Sequence, residues 1–246
     1  MNVLIACEES QAVCIAFRER GHRAFSCDIE PCSGGHPEWH IKGDVLPLIN
    51  GNCTFQTADT HTHTQAGRWD LIIAHPPCTH LAVSGARSFA EKQKDGRQQK
   101  SIVFFMQMAL ADCDRIAVEN PVCIMSTAWR KPDQIIQPWQ FALSDDENTQ
   151  KTTCLWLKGL PKLQPIHAEK PPIEYCEWFD EKAGRVKRQT KWYYETRCAG
   201  PKDRGRLASK TFPGIAQAMA EQWGSGYEQD GQFNLFYKPN ETLTVN

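Results

Sequence analysis

Two short motifs carry side chains that can do covalent chemistry. Cys78 follows the proline pair at residues 76–77, and Glu119 stands in residues 118–121, Val-Glu-Asn-Pro. A cysteine thiolate is a strong nucleophile and a competent leaving group, so it suits a reaction that forms a covalent adduct and later releases it. A carboxyl group of raised pKa can supply a proton to the atom that gains electrons. The prolines would stiffen the loop that presents the thiol.

Addition to a pyrimidine ring is the chemistry that this pair fits. C5 of cytosine is a poor nucleophile, and it becomes enamine-like once a nucleophile adds at C6 and an acid protonates or hydrogen-bonds N3. A thiol and a carboxyl group on neighbouring strand ends would meet this need. Each motif alone also fits an ordinary structure, because a single cysteine is often a small buried hydrophobe and Glu-Asn-Pro can end any strand.

The elements around the motifs predict an α/β fold. Buried strands are expected over residues 1–6 and 22–27, with a helix over 11–20 between them that Gly21 ends. This β-α-β unit is typical of a doubly wound, Rossmann-like parallel sheet. Active sites in such sheets lie at the carboxyl ends of the strands, where both motifs fall. Further strands are predicted over 41–45, 69–74, 115–118 and 152–157, helices over 101–111 and 214–223, and mostly loop over 32–67.

Composition limits the class of protein. The 246 residues, 41% hydrophobic and 23% charged, allow one α/β domain and a small appendage. Eleven cysteines without any CxxC predict a reducing cytosolic compartment, no disulfide scaffold and no metal site. The apolar run at the start has no basic segment before it, and no run could span a bilayer, so we expect neither a secretory signal nor a membrane contact.

Positive charge is concentrated in one segment. The net charge is −1, yet between Lys182 and Lys210 ten Lys and Arg residues stand against two acids. Cations interleaved with aromatic residues are typical of nucleic-acid-binding surfaces, and a solvated basic loop is the alternative. The residues concerned include Trp192, Tyr193, Tyr194, Arg197, Arg204 and Arg206.

With these motifs placed, the sequence resembles the DNA cytosine-C5 methyltransferases, and within them the compact type encoded by phages and prophages. The resemblance covers roughly residues 1–157 and 205–223. Residues 74–78 match the family's Pro-Cys motif, which implies that Cys78 is the nucleophile and that Pro77 lies at the substrate. Glu119 and Asn120 match the family's Glu-Asn motif, which implies that the carboxyl engages cytosine N3 and the amide lies at the substrate.

The resemblance implies S-adenosylmethionine as the methyl donor. Asp28 closes the second strand, where the family's acidic residue binds the ribose hydroxyls, and Asp44 of a Gly-Asp pair would lie near the adenine amine. Cys7 and Glu8 stand in the first loop, which approaches the cofactor in the family. That loop is glycine-rich in the family and has no glycine here.

Two further motifs of methyltransferase families can be compared with this sequence. The family's Gln-x-Arg-x-Arg motif has its nearest equivalent at residues 150–154, which lack both arginines. Enzymes that methylate exocyclic amines carry an aromatic residue after a Pro-Pro pair, because their target nitrogen needs no covalent activation. Cys78 stands at that position here, which favours methylation of carbon over nitrogen.

The implied organisation has four parts: a catalytic domain over 1–157, a small basic and aromatic target-recognition segment over 158–208, a helix returning to the catalytic domain over 209–226, and a tail over 227–246. The expected partner is double-stranded DNA in the cytoplasm of a bacterial host. We expect Arg197, Arg204 and Arg206 to contact it and residues 84–99 to form a flexible basic lid. The alternatives are the same chemistry on RNA or a free pyrimidine nucleotide, and a degenerate homologue that binds DNA without turnover.

Overall fold

The computed structural model describes residues 1–225, apart from the side chains of residues 201 and 202. Its strands are β1 (Asn2–Ala6), β2 (Arg23–Asp28), β3 (His40–Lys42), β4 (Cys53–Gln56), β5 (Thr62–Gln65), β6 (Leu71–Ala74), β7 (Ile116–Pro121), β8 (Gln134–Ile136), β9 (Thr153–Lys158), β10 (Tyr175–Asp180) and β11 (Arg185–Thr190). Its α-helices are α1 (Ala12–Glu19), α2 (Phe89–Lys94), α3 (Arg97–Ala109), α4 (Met125–Ala128), α5 (Lys191–Cys198), α6 (Pro201–Ser209) and α7 (Pro213–Gly224). The predicted tail, 227–246, lies outside the described residues.

A seven-stranded sheet forms the centre of the fold, in the order β3-β2-β1-β6-β7-β9-β8. β9 runs antiparallel to both of its neighbours, and the other six strands share one direction. The predicted α/β class with a largely parallel central sheet is therefore confirmed. Each strand and helix predicted over residues 1–225 is present, with bounds that differ by a few residues.

Both faces of the sheet are buried, which explains why its strands are continuous apolar runs. Alternate residues of β1 enter opposite cores: Leu4 packs in the core beneath α3, and Ile5 in the core formed with α1 and α7. Successive side chains of a strand point to opposite faces, so a run such as Leu71–Ala74 fills both cores. The sheet therefore forms a rigid platform for the loops at its edge.

Two segments predicted as loop contain regular structure. Residues 32–67 include the β4-β5 hairpin, in which Phe55 is the buried apolar residue and packs edge-on against Phe25 with ring centroids 5.0 Å apart. One apolar side chain among threonines, histidines and glutamines gives too weak an alternation for sequence to show a strand. Residues 84–99, predicted as a flexible lid, form a 3-10 turn, α2 and the start of α3.

The predicted lid is also anchored. Lys92 is buried, and its Nζ donates to the carbonyl of Thr79 at 2.7 Å. The side chain of Gln98 is buried as well and donates to the carbonyl of His80 at 3.2 Å. These contacts, which local sequence could not reveal, fix the chain directly after Cys78.

The segment 158–208 consists of two parts. Its beginning packs on the sheet domain, because Leu163 is buried and exchanges two hydrogen bonds with the side chain of Gln134. The β10-β11 hairpin, α5 and α6 form the remainder, and we call them the basic unit. The first residues of the predicted segment thus pack as part of the sheet domain. Among the helices of residues 1–225, none has the length and hydropathy needed to cross a membrane.

Candidate active site at the strand ends

The carboxyl ends of β1, β6 and β7 lie side by side. In the register of the sheet Ala6 pairs with Ala74, and Ala74 pairs with Val118. The residues that follow these three positions therefore lie next to one another at the carboxyl edge of the sheet. The strand order reverses between β1 and β6, since β2 continues the sheet on one side and β7 on the other. Such a reversal opens the crevice in which doubly wound sheets bind ligands.

A buried pair, His75 and Glu119, forms the centre of this edge. Nδ1 of His75 lies 3.2 Å from Oε2 of Glu119, and the two side chains are only 9% and 14% exposed. A carboxylate oxygen accepts, so Nδ1 carries the proton in this hydrogen bond. The backbone amide of His75 donates to the carbonyl of Ala6 at 2.9 Å, which fixes the residue to β1. His75 lies within residues 74–78, the Pro-Cys motif, but the sequence predicted no role for it.

The pKa of Glu119 is lowered, whereas the sequence predicted a raised pKa. Burial raises the pKa of this carboxyl, but the hydrogen bond from His75 and the charges of His75 and Lys151 outweigh burial and hold the pKa below its usual value. Glu119 is therefore a carboxylate at neutral pH. The expectation of a raised pKa was wrong because its two partners come from other strands.

Cys78 sits beside this carboxylate as a protonated thiol. Burial and the charge of Glu119 raise the pKa of Cys78, and its own backbone amide and Lys151 offset this only in part. The carbonyl of Cys78 accepts from the amides of Leu81 and Ala82 at 2.9 and 2.8 Å, so the chain curls directly after the thiol. The thiol thus needs a proton acceptor before it can act as a nucleophile.

Lys151 is a second residue that sequence analysis did not single out. Its Nζ donates to the carbonyl of Lys210 at 3.0 Å and lies 5.8 Å from the ring centroid of Phe212. Burial lowers the pKa of Lys151, and the charges of Glu119 and Cys78 raise it in return. The net effect is a lowered pKa, and the amine of Lys151 faces the thiol and the carboxylate. The available signal was its position within residues 150–154, where the family motif carries arginines.

Asn120 supports the proline loop. The side chain is 1% exposed, and Nδ2 donates to the carbonyl of Pro76 at 2.7 Å. In this state the amide is closed to a substrate and holds the turn that carries Cys78. Pro77 is exposed beside the thiol, as the prediction of a substrate contact requires, but the contact itself stays a prediction.

The first loop adopts glycine-like conformations without glycine. Cys7 and Gln11 both have φ of 60°, in the left-handed region. For residues with a Cβ this region costs about 1–2 kcal/mol each. The amide of Cys7 donates to the carbonyl of Cys27 at 2.7 Å, which ties the loop to the end of β2.

The first loop packs closely against a second segment, and the glycine that permits this contact, Gly34, lies in that second segment. Nε2 of Gln11 donates to the carbonyl of His36 at 2.8 Å, and Oε1 accepts from the amide of the same residue at 3.1 Å. A Cβ added to Gly34 would lie 2.6 Å from Cβ of Gln11. Gly34 therefore supplies the space between its own segment and the first loop.

Glu8, predicted to contact the cofactor, binds the start of α1 instead. It is 4% exposed, and its two carboxylate oxygens accept from the amides of Val13 at 2.7 Å and Cys14 at 3.1 Å. Glu8 thus satisfies amides at the start of α1, as an N-terminal cap does. The predicted cofactor contact is corrected accordingly, since both oxygens are directed at the helix.

The other predicted cofactor residues come together. Burial, followed by the charge of Asp28, raises the pKa of Cys7, and the charge of Asp44 also contributes. Asp28 is half-buried and Asp44 is exposed, while the amide of Gly43 donates to the carbonyl of Asp28 at 2.8 Å. Two carboxylates and the first loop therefore share the end of β1, β2 and β3.

The three predicted DNA-binding arginines all lie on the basic unit. Arg197 on α5 places its guanidinium 4.7 Å from the Trp178 ring centroid, and Arg206 on α6 pairs with Asp203 at 3.2 Å. Arg204 is exposed on α6. Ring packing of Trp192 against Phe212, 5.1 Å between centroids, connects the basic unit to the segment that Lys151 contacts.

No protein-family model and no curated protein matches the sequence. Among solved structures, the chain is similar to one described as a candidate DNA modification methyltransferase encoded within a prophage, from E. coli, with 14% identity and a TM-score of 0.41. The match covers 69% of this chain and 52% of that one, so this chain spans about half its length. A likeness at this level supports no functional argument, and membership of a family stays a prediction.

Proposed function

We propose that the chain is an S-adenosylmethionine-dependent methyltransferase that acts on C5 of cytosine in DNA through an adduct between Cys78 and C6. The observation that carries this proposal is the meeting of a thiol, a carboxylate and a lysine amine at the ends of β6 and β7. Thiol addition at C6 and proton delivery to N3 require the first two groups side by side.

With Cys78 as a thiol and Glu119 as a carboxylate, the addition step can proceed without gain or loss of protons at the site. The Cys78 proton passes to the Glu119 carboxylate, Sγ bonds to C6, and the ring electrons move toward N3, which takes the proton from Glu119. No proton from solvent is needed, because Cys78 begins as a thiol and Glu119 as a carboxylate. Lys151 brings its amine beside the ring, where the arginines of the family motif would stand.

The remaining steps restore the protein. S-adenosylmethionine, when bound, supplies an electrophilic methyl group to the activated C5. The C5 proton then leaves to water, N3 returns its proton to Glu119, and the C6–Sγ bond breaks with its electron pair on sulfur. Sγ recovers the proton from Glu119, so the thiol and the carboxylate are regenerated.

The acidic end of β1, β2 and β3 supports the choice of cofactor. Asp28 would hold the ribose diol, Asp44 would lie at the adenine, and the negative charge of both favours a sulfonium ligand. Cys7 would line the loop beside them. Glu8 contributes by fixing the start of α1 rather than by contact.

Asp28→Ala is expected to weaken S-adenosylmethionine binding about tenfold or more, since a hydrogen bond to a charged group contributes about 1.5–3 kcal/mol. Isothermal titration calorimetry on the intact protein measures this. Asp112→Ala, a surface carboxylate paired with Arg68, is the matched control and should leave the affinity unchanged. Equal affinities for wild type and Asp28→Ala, or no binding by the wild type, would contradict the assignment.

The basic unit supports DNA as the substrate, because its cations are exposed and interleaved with aromatic rings. Replacing Arg204 and Arg206 by Ala is expected to weaken duplex binding and to reduce the slope of log K against log salt by about 1.8, the value for two phosphate contacts. Fluorescence anisotropy at several salt concentrations gives both quantities. The double variant Arg20→Ala, Arg68→Ala removes equal charge near the opposite edge of the sheet, and an equal loss in that control would refute a specific role.

Parallel methyl-transfer assays test the proposed function as a whole. Tritiated S-adenosylmethionine is offered with duplex DNA, RNA and dCMP, and the labelled nucleoside is identified by chromatography. We expect label in 5-methylcytosine from DNA. Label in RNA or dCMP would change the substrate and keep the chemistry, whereas no transfer to any of the three would favour the degenerate homologue.

A further inference from the structure

The proton relay requires that Glu119 be charged before the substrate arrives, although the residue is buried. Burial alone disfavours a carboxylate, so a neighbour must stabilise it. The neighbour in direct contact is His75, whose Nδ1 lies 3.2 Å from Oε2. The loop geometry fixes this donor, because the amide of His75 is bound to the carbonyl of Ala6 on the adjacent strand.

We propose that His75 is a positioning residue for Glu119: it donates Nδ1–H to Oε2 and so presents a charged carboxylate that relays the Cys78 proton to the ring nitrogen. This inference rests on the proposed function. The geometry leaves the other carboxylate oxygen, Oε1, for the relay, since Oε2 is occupied by the imidazole. His75 itself exchanges no proton with the substrate.

The groups around the pair support this direction of action. Glu8 faces His75 from the loop after β1, since the charge of His75 lowers the pKa of Glu8 against the larger effect of its burial. Lys151 and Cys78 also lie near enough to Glu119 to interact with its charge. Nε2 of His75 is buried and, among the described residues, has no hydrogen-bond partner. The imidazole is thus committed through Nδ1 to Glu119.

Removing the imidazole should shift the pKa of Glu119 and the pH dependence of the reaction in the same direction. A carboxylate that loses its donor and a neighbouring charge becomes harder to ionise, so in His75→Phe the pKa of Glu119 should rise by about one unit or more. The relay needs the ionised form, so the acid limb of the reaction should move to higher pH by the same amount. His75→Asn keeps an N–H donor without an imidazole and should recover part of both effects.

Two measurements on the full chain test this. Carboxyl resonances of ¹³C-labelled glutamate give the Glu119 titration in the free protein, with the signal assigned by its loss in Glu119→Gln. The rate of covalent trapping by DNA that carries 5-fluorocytosine, measured against pH, gives the acid limb of the reaction. His61→Ala is the matched control, because His61 Nδ1 lies 2.7 Å from Asp59 Oδ2 in an exposed pair away from the site. Thermal unfolding of each variant verifies that it is folded.

The expected result is a shift of both curves in His75→Phe, a smaller shift in His75→Asn and none in His61→Ala. A Glu119 titration that does not move in folded His75→Phe overturns the inference. A titration that moves while the trapping limb stays fixed overturns the relay. A wild type that is never trapped overturns the proposed function instead, and the titration still decides whether His75 controls Glu119.

Discussion

DNA that carries 5-fluorocytosine is expected to trap the wild-type protein covalently, and Cys78→Ser is expected to abolish the trapping. If Sγ adds to C6, the fluorine at C5 cannot leave as a cation, so elimination stops after methyl transfer and the protein stays attached. A serine hydroxyl is far less acidic than a thiol, and Glu119, whose pKa lies below its usual value, is too weak a base to activate it. Turnover should therefore fall by on the order of 10⁴-fold or more.

The attachment site can be read directly from the sequence. Trypsin cleaves after Arg68 and Arg87, and the peptide 69–87 contains Cys78 as its single cysteine. Mass spectrometry of the trapped complex should find the nucleotide on this peptide. Cys53→Ser is the matched control, because Cys53 is a half-buried free thiol on β4, outside the site. Trapping that survives Cys78→Ser, or an adduct on another peptide, would disprove the covalent mechanism.

The sequence predicted the sheet well because the signal for its strands is local. Buried strands such as Leu71–Ala74 are unbroken apolar runs, and a helix such as α7 shows its apolar spacing within its own residues. The same argument placed Cys78 and Glu119 at one edge of the sheet. The strands of the basic unit and of the β4-β5 hairpin escaped prediction because they are largely polar or exposed and their alternation is weak.

The electrostatics of the site could not be predicted, because they depend on long-range contacts. His75 and Glu119 are 44 positions apart, and their hydrogen bond depends on the pairing of β6 with β7. Lys151 reaches the pair from the segment before β9. Those contacts reverse the expected direction of the Glu119 pKa. Similarly, Glu8 was assigned to the cofactor because nothing local indicates that its oxygens reach the amides of α1.

The reversed pKa leads to the second large effect, in Glu119→Gln. The amide cannot accept the Cys78 proton or deliver one to N3, so turnover should fall about 10²–10⁴-fold, the usual contribution of a general acid or base. The thiol should respond in the opposite direction. Burial and then the charge of Glu119 raise the pKa of Cys78, so removing that charge lowers the pKa and increases the thiolate fraction at neutral pH.

Alkylation of the free protein separates these two consequences. The rate of iodoacetamide modification of peptide 69–87, followed against pH, should rise in Glu119→Gln while methyl transfer collapses. Glu38→Gln is the matched control, because Glu38 lies 3.0 Å from Nδ1 of His36 in a more exposed pair away from the thiol, and it should change neither rate. Faster alkylation with undiminished methylation would show that Glu119 only tunes the thiol. Unchanged alkylation would show that its charge does not reach Cys78. A more reactive nucleophile in a less active enzyme would show that the step that fails is proton delivery to the ring rather than formation of the thiolate.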